Sequence, residues 1–85
     1  MTAIMPNPKI RKILHEKSME LHKYNCVSTW CYDENSKKIM VFTTRPGLWI
    51  GRHGVDKDRL QNEINEILKK DGKESIQISF IECDS

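Results

Sequence analysis

The chain has 85 residues, a length that provides one small hydrophobic core, so we expect a single domain over residues 1–85. Fourteen Lys and Arg residues against twelve Asp and Glu give a formal net charge of +2, which is too small to indicate a nucleic-acid partner unless the charge is clustered. Three cysteines without a framework spacing, and no long apolar run near the N-terminus, argue against a disulfide scaffold, a secretory signal and a membrane span, and we expect a cytoplasmic protein.

The first predicted element is an amphipathic helix over about residues 8–23. Asn7 is a suitable N-cap, and Pro8 suits the first helical position because its missing N–H has no acceptor there. His15 and His22 share one face of this helix but lack Cys or carboxylate partners at a zinc spacing, so we expect surface histidines and no metal site. The apolar stripe that we expect to pack on the rest of the domain consists of Ile10, Ile13, Leu14 and Leu21.

Residues 26–32 and 38–44 predict the two strands of a β-hairpin. Both segments are rich in β-branched and aromatic residues, and the polar residues 33–37 separate them. Cys26 and Cys31 fall on opposite faces of the first strand, so we expect free thiols there and neither a disulfide nor a chelate.

The second half of the chain predicts two helices and a last strand. Arg45-Pro46-Gly47 ends the second strand, because proline cannot donate to a ladder, and residues 48–51 then allow only a turn or two of helix. Residues 55–70 predict a longer helix with Asp56 as its N-cap and Gly72 as its terminator. Residues 75–83 alternate apolar and polar side chains and predict a strand with one buried face.

This order of elements predicts an α+β fold. A strand that leads through two helices to another strand favours a right-handed crossover and a parallel pair, while the hairpin is antiparallel. The expected result is a three-stranded mixed sheet with helices on one face. The other face stays open and could support a homodimer or docking onto a ribonucleoprotein; its candidate members include Val27, Thr29, Cys31, Met40, Phe42 and Ile81.

The sequence Gly51-Arg52-His53-Gly54 predicts a phosphate-binding loop. Glycines at both corners let the chain turn without Cβ clashes and let backbone amides approach a phosphate at the start of the long helix. Arg52 can donate a forked pair of hydrogen bonds, and His53 can donate one and gains a charge when protonated. The alternative is a tight interhelical turn without a ligand, because a bare Gly-x-x-Gly often occurs by chance.

The run from Thr43 to Gly54, Thr-Thr-Arg-Pro-Gly-Leu-Trp-Ile-Gly-Arg-His-Gly, resembles type II KH domains, most closely the one in the small-subunit ribosomal protein near the mRNA entry channel. In that family an Arg-Pro-Gly precedes an apolar triplet, then Gly-x-x-Gly and a helix. The resemblance covers about residues 25–83 in the order of elements, and it is specific in sequence only over this run. It implies that single-stranded RNA or DNA binds with its backbone on the loop and its bases in an adjacent groove.

The resemblance also places other residues around the nucleic acid. The family usually has Lys or Arg at both central loop positions, so His53 is a departure. By matched position, Leu48, Ile50 and Val55 line the groove. Trp49 stands where the family usually has a smaller aliphatic residue, and it either stacks on a base or packs in the core, with its size favouring the core.

Two further arginines lie near the motif. Arg45 and Arg59 can reach phosphates along the rim of the groove, although Arg59 is equally suited to a solvated pair with Glu63, four positions later. Acidic and basic residues are balanced along the helix after the loop, so a lone domain of this kind should bind single strands weakly.

The leading hypothesis is a small non-catalytic module that binds single-stranded RNA, or single-stranded DNA, without a cofactor. No nucleophile set, Walker loop or paired carboxylates indicates an enzyme. The alternative hypothesis is an adaptor or inhibitor that keeps the KH fold and binds a protein, as a viral or mobile-element protein acting on a host complex could.

Overall fold

The computed structural model describes residues 7–83. Along the chain its elements are α1 (Pro8–His22), β1 (Ser28–Asp33), β2 (Lys38–Thr43), α2 (Pro46–Ile50), a 3₁₀ turn (Arg52–Gly54), α3 (Val55–Lys70) and β3 (Gln77–Glu82). The predicted order of elements is confirmed, and each predicted strand end is displaced by at most two residues. None of the helices within residues 7–83 is long and apolar enough to cross a membrane.

The three strands form one mixed sheet in the order β1-β2-β3. β1 and β2 are antiparallel, with Ser28 opposite Thr43, and β2 and β3 are parallel, with Thr43 beside Glu82. The predicted α+β fold and its KH-like topology are therefore confirmed.

The core lies between the sheet and the helices. In β2, the side chains of Ile39, Val41 and Thr43 are buried, whereas the residues between them are half-buried, so only one face of the strand is fully covered. Thirteen side chains from α1 through β3 form one cluster: Ile10, Leu14, Leu21, Cys26, Tyr32, Ile39, Val41, Trp49, Leu60, Ile64, Leu68, Ile76 and Ile78.

The start of α1 is the one predicted. The Asn7 side chain accepts a hydrogen bond from the Lys9 N–H at 2.8 Å, and Pro8 occupies the first turn. Asn7 also donates to the Asp71 carboxylate at 3.3 Å, which ties the start of α1 to the end of α3. A hydrogen bond and the positive charge from Lys73, with a smaller contribution from Asn7, lower the pKa of Asp71.

The predicted span of α3, residues 55–70, is confirmed, but the predicted N-cap was wrong. The N-cap is Gly54, in the left-handed conformation, and Asp56 lies inside the first helical turn. At the other end, Gly72 has a φ of 71°, and the N–H groups of Gly72 and Lys73 donate to Lys69 and Leu68 carbonyls in a Schellman arrangement.

Side-chain amides of α3 bond the backbone at the start of β3, an edge strand. Gln61 accepts from the Ile78 N–H at 3.0 Å and donates to the Ile76 carbonyl, while Asn65 accepts from the Ile76 N–H at 3.0 Å. These bonds fix α3 against the sheet and satisfy part of the edge that would otherwise be free to pair with another chain.

The face of the sheet away from the core is half-exposed. Thr29, Phe42 and Ile81 form one row across the three strands, and Cys31 and Met40 belong to the next. Ile81 is 39% exposed and Val27, just before β1, is 60% exposed.

Candidate nucleic-acid interface

The short helix α2 is held in place by Trp49. The Trp49 side chain is fully buried, and its ring centroid lies 5.7 Å from that of Phe80. Its indole N–H donates to the Ser28 hydroxyl at 2.9 Å. Of the two alternatives for Trp49, the structure therefore shows the core position, with no exposed ring face on which a base could stack.

A small polar network lies beneath α2. The Ser28 hydroxyl donates to Thr43 Oγ1 at 3.0 Å, and the Arg45 N–H donates to the same oxygen at 3.2 Å. Cys26 Sγ lies 3.2 Å from Thr43 Oγ1. Because Thr43 already accepts two hydrogen bonds, its own hydroxyl hydrogen is available to the Cys26 sulfur. The network joins the ends of β1 and β2 to the residue that precedes α2.

Both glycines of the loop have backbone conformations that side chains disfavour. Gly51 has φ 77° and ψ 176°, a region essentially restricted to glycine, and its N–H donates to the Gly47 carbonyl at 2.9 Å. Gly54 has φ 76° and ψ 13°. His53, with φ 58°, is also left-handed. The loop therefore turns sharply at both corners, and its two central side chains, Arg52 and His53, are exposed.

Gly51 also faces a close neighbour. A Cβ atom at Gly51 would lie 2.7 Å from both Cγ and Oδ2 of Asp56 and 2.8 Å from its Cβ. A Cβ at Gly54 would have no neighbour within 4 Å. The Asp56 carboxylate thus packs directly on the Gly51 corner, next to the first-turn amides of α3, where negative charge is favoured by the helix dipole.

The remaining predicted residues surround this loop along the chain. Leu48 and Ile50 are half-buried in α2, whereas Val55, at the start of α3, is 51% exposed. Arg45 and Arg59 are exposed. Arg59 and Glu63 do not form the predicted pair: the salt bridge found among residues 7–83 is between Lys73 and Asp71.

Asp56 and Ser28 are the residues with a bearing on the site that the sequence did not assign to it. Asp56 was interpreted as a helix cap, and only its packing against Gly51 shows that it adds negative charge beside the loop. Ser28 is 21 positions from Trp49, so no local pattern could connect the two.

The three cysteines form no disulfide. Cys26 is buried, Cys31 and Cys83 are half-buried, and all three are free thiols. Cys26 was predicted to lie within the first strand, but it precedes β1. No cluster of possible metal ligands occurs within residues 7–83.

Comparison with known proteins gives short partial matches. No family model matches the chain, and no solved structure matches it significantly. The small ribosomal subunit protein uS3 of Coprothermobacter proteolyticus is 39% identical over 44 residues, which cover 52% of this chain and 19% of that protein. The uS3 of Hahella chejuensis is 50% identical over 32 residues, 38% of this chain and 14% of that protein. The chain therefore matches less than a fifth of the length of these relatives, which supports a relationship to a ribosomal protein over short segments.

Proposed function

We propose that this protein is a small, non-catalytic, cytoplasmic module that binds single-stranded RNA with the Gly51–Gly54 loop. The observation that carries this proposal is the loop itself: two glycines with φ of 77° and 76° bracket an exposed arginine and an exposed histidine at the start of a long helix. The N–H groups of Gly54 and Val55 donate to carbonyls of the loop, whereas the later first-turn amides of a helix have no intrahelical acceptor and suit a phosphate. The partial similarity to uS3 adds support, since that protein is a component of a ribosomal subunit.

The parts of the loop have different roles in this proposal. Arg52 binds a backbone phosphate through two donors, and His53 contributes one. Arg45 and Arg59 contact phosphates at the rim, while the exposed side chain of Val55 and the partly covered Leu48 and Ile50 border the bases. Trp49 acts from the core by holding α2 in place.

We expect Arg52→Ala to weaken RNA binding and to reduce its salt dependence. Removal of one phosphate contact should reduce the magnitude of the slope of log K against log salt by about 0.7 for a single strand. His53→Lys should strengthen binding at neutral pH and raise the slope by about the same amount. Both quantities are measured by fluorescence anisotropy with a short labelled RNA over a series of salt concentrations.

The matched control is Lys37→Ala. Lys37 is an exposed cation with φ 54°, which also shows that this fold accommodates lysine in the backbone conformation of His53. The control removes one positive charge at the hairpin turn, so the RNA slope should stay the same. Equal effects of Arg52→Ala and Lys37→Ala would indicate attraction to the whole protein, and the proposed loop site would be wrong.

A second candidate function is supported by the open sheet face. The row formed by Thr29, Phe42 and Ile81 leaves apolar surface exposed. Such a surface suits contact with a protein partner or with a second copy of this chain. A folded protein without measurable affinity for single-stranded RNA or DNA would favour this adaptor function.

A further inference from the structure

The outer surface of α1 is strongly basic although the chain as a whole is nearly neutral. Residues 8–23 contain five Lys and Arg residues and two Glu, a net charge of +3 in a chain whose total is +2. The remainder of the chain therefore has a net charge of −1. Positive charge is concentrated on one helix that the proposed loop site does not use.

Three of the five cations fall within one arc of the helical wheel, and Lys9 and Lys17 lie outside it. At 3.6 residues per turn, this arc spans about 120°, runs from beside the buried stripe to the position opposite it, and contains no acidic residue. We call this arc the α1 basic surface, and its side chains, all of them exposed, are Arg11, Lys12, His15, Met19, His22 and Lys23. Glu16 and Glu20 lie outside it, on the same flank as Lys9.

The cations of this surface form no salt bridge among residues 7–83, although Glu16 and Glu20 lie one helical turn from Lys12 and Lys23. The salt bridge found among residues 7–83 is between Lys73 and Asp71, so no carboxylate of this part of the chain lies within 4 Å of the charged nitrogens of Arg11, Lys12 or Lys23. Lys9, by contrast, acts on Asp71 and contributes to lowering the pKa of that carboxyl. A positive surface without direct ion pairs on a rigid helix attracts a polyanion.

We infer that the α1 basic surface binds the phosphate backbone of double-stranded RNA. Arg11 and Lys23 are separated by about 18 Å along the helix axis at 1.5 Å per residue. A duplex places one negative charge per about 1.7 Å of its axis, so several phosphates lie within reach of this surface at once. The inference goes beyond the proposed loop site, which takes a single strand.

A membrane surface fits these residues less well. A helix that lies in a bilayer interface needs an apolar face in contact with lipid. In α1 that face is already in the protein core, where Ile10 and Leu14 are fully buried and Leu21 is 5% exposed. Met19, 59% exposed, is the large apolar side chain of the α1 basic surface.

The test compares two double variants that remove equal charge. Lys12→Gln with Lys23→Gln removes two cations from the α1 basic surface, and Lys9→Gln with Lys37→Gln removes two exposed cations outside it. The probe is a blunt-ended RNA duplex without single-stranded ends, titrated by anisotropy at several salt concentrations. We expect the first double variant to reduce the magnitude of the slope of log K against log salt by about 2 and to weaken duplex binding on the order of tenfold. The second double variant should have little effect on either quantity.

The loop variants separate this inference from the proposed function. Arg52→Ala should weaken binding of the single strand and leave duplex binding largely intact, whereas Lys12→Gln with Lys23→Gln should do the reverse. If Arg52→Ala does not weaken binding of the single strand, the loop site is overturned and the α1 inference is not. Equal losses of duplex binding in the two double variants would overturn the α1 inference alone. Tighter binding to anionic lipid vesicles or to polyglutamate than to duplex RNA, at equal charge concentration, would also overturn it.

Discussion

Gly51→Ala is expected to destabilise the protein by about 2 to 5 kcal/mol, because it combines backbone strain with a steric clash. At φ 77° and ψ 176°, a residue with a Cβ is strongly disfavoured, and that Cβ would meet the Asp56 side chain at 2.7 Å. A domain of 85 residues has a total stability of only about 4 to 13 kcal/mol. Chemical denaturation followed by circular dichroism measures the loss.

Two other glycines provide a graded control. Gly54 also has a positive φ, but a Cβ added there would have no neighbour within 4 Å. Gly54→Ala should therefore cost only about 1 to 2 kcal/mol. Gly47→Ala, within α2 and in open space, should be neutral or stabilising by up to about 1 kcal/mol. Equal losses for Gly51→Ala and Gly54→Ala would show that the Gly51 corner relaxes freely.

The contribution of the clash can be separated from that of the strain. Asp56→Ala removes the Cγ and Oδ2 atoms that a Cβ at Gly51 would meet, and it retains the Asp56 Cβ at 2.8 Å. In the Gly51→Ala background it should therefore restore part of the lost stability, whereas in the wild type it removes a favourable charge at the helix start. A positive coupling between the two substitutions in a double-mutant cycle supports the contact. Purely additive losses would contradict it.

Local signals in this sequence were sufficient for the helices and strands. Asn7-Pro8 defined the start of α1, and Gly72 the end of α3, because each signal acts on backbone groups within a few residues of itself. The bounds of α3 were predicted correctly, but its N-cap was not. Asp56 is a favourable cap residue by type, but Gly54 adopts the left-handed conformation and caps the helix, so Asp56 lies within the first turn.

The candidate site was predictable only in part. The Gly-x-x-Gly spacing is local and identifies the loop, but the surroundings of the loop depend on tertiary packing. The contact between Gly51 and Asp56 and the hydrogen bond between Trp49 and Ser28 exist only once α2, α3 and the sheet are assembled. The α1 basic surface was hidden by the small net charge of the whole chain, which averages a positive helix with a slightly negative remainder.

We expect Trp49→Ala to cost about 3 to 5 kcal/mol, enough to unfold a large fraction of the protein. The side chain is fully buried, and its loss would leave a cavity against Phe80 as well as an unsatisfied network at Ser28. Because this variant is at risk of not folding, Ser28→Ala is the informative partner. It removes the acceptor of the indole N–H together with the donor to Thr43 Oγ1, and it should cost about 1 to 3 kcal/mol.

The same pair of residues tests how α2 supports the loop. If the hydrogen bond between Trp49 and Ser28 fixes α2, Ser28→Ala should also shift the amide resonances of Gly51 and Gly54, although Ser28 is not part of the loop. Trp30→Phe leaves Trp49 as the one tryptophan, and its fluorescence should report unfolding but show little direct quenching by RNA. Strong quenching of Trp49 by RNA in a fully folded protein would mean that the ring leaves the core to stack on a base. The core position of Trp49 and its role in supporting the loop would then both be wrong.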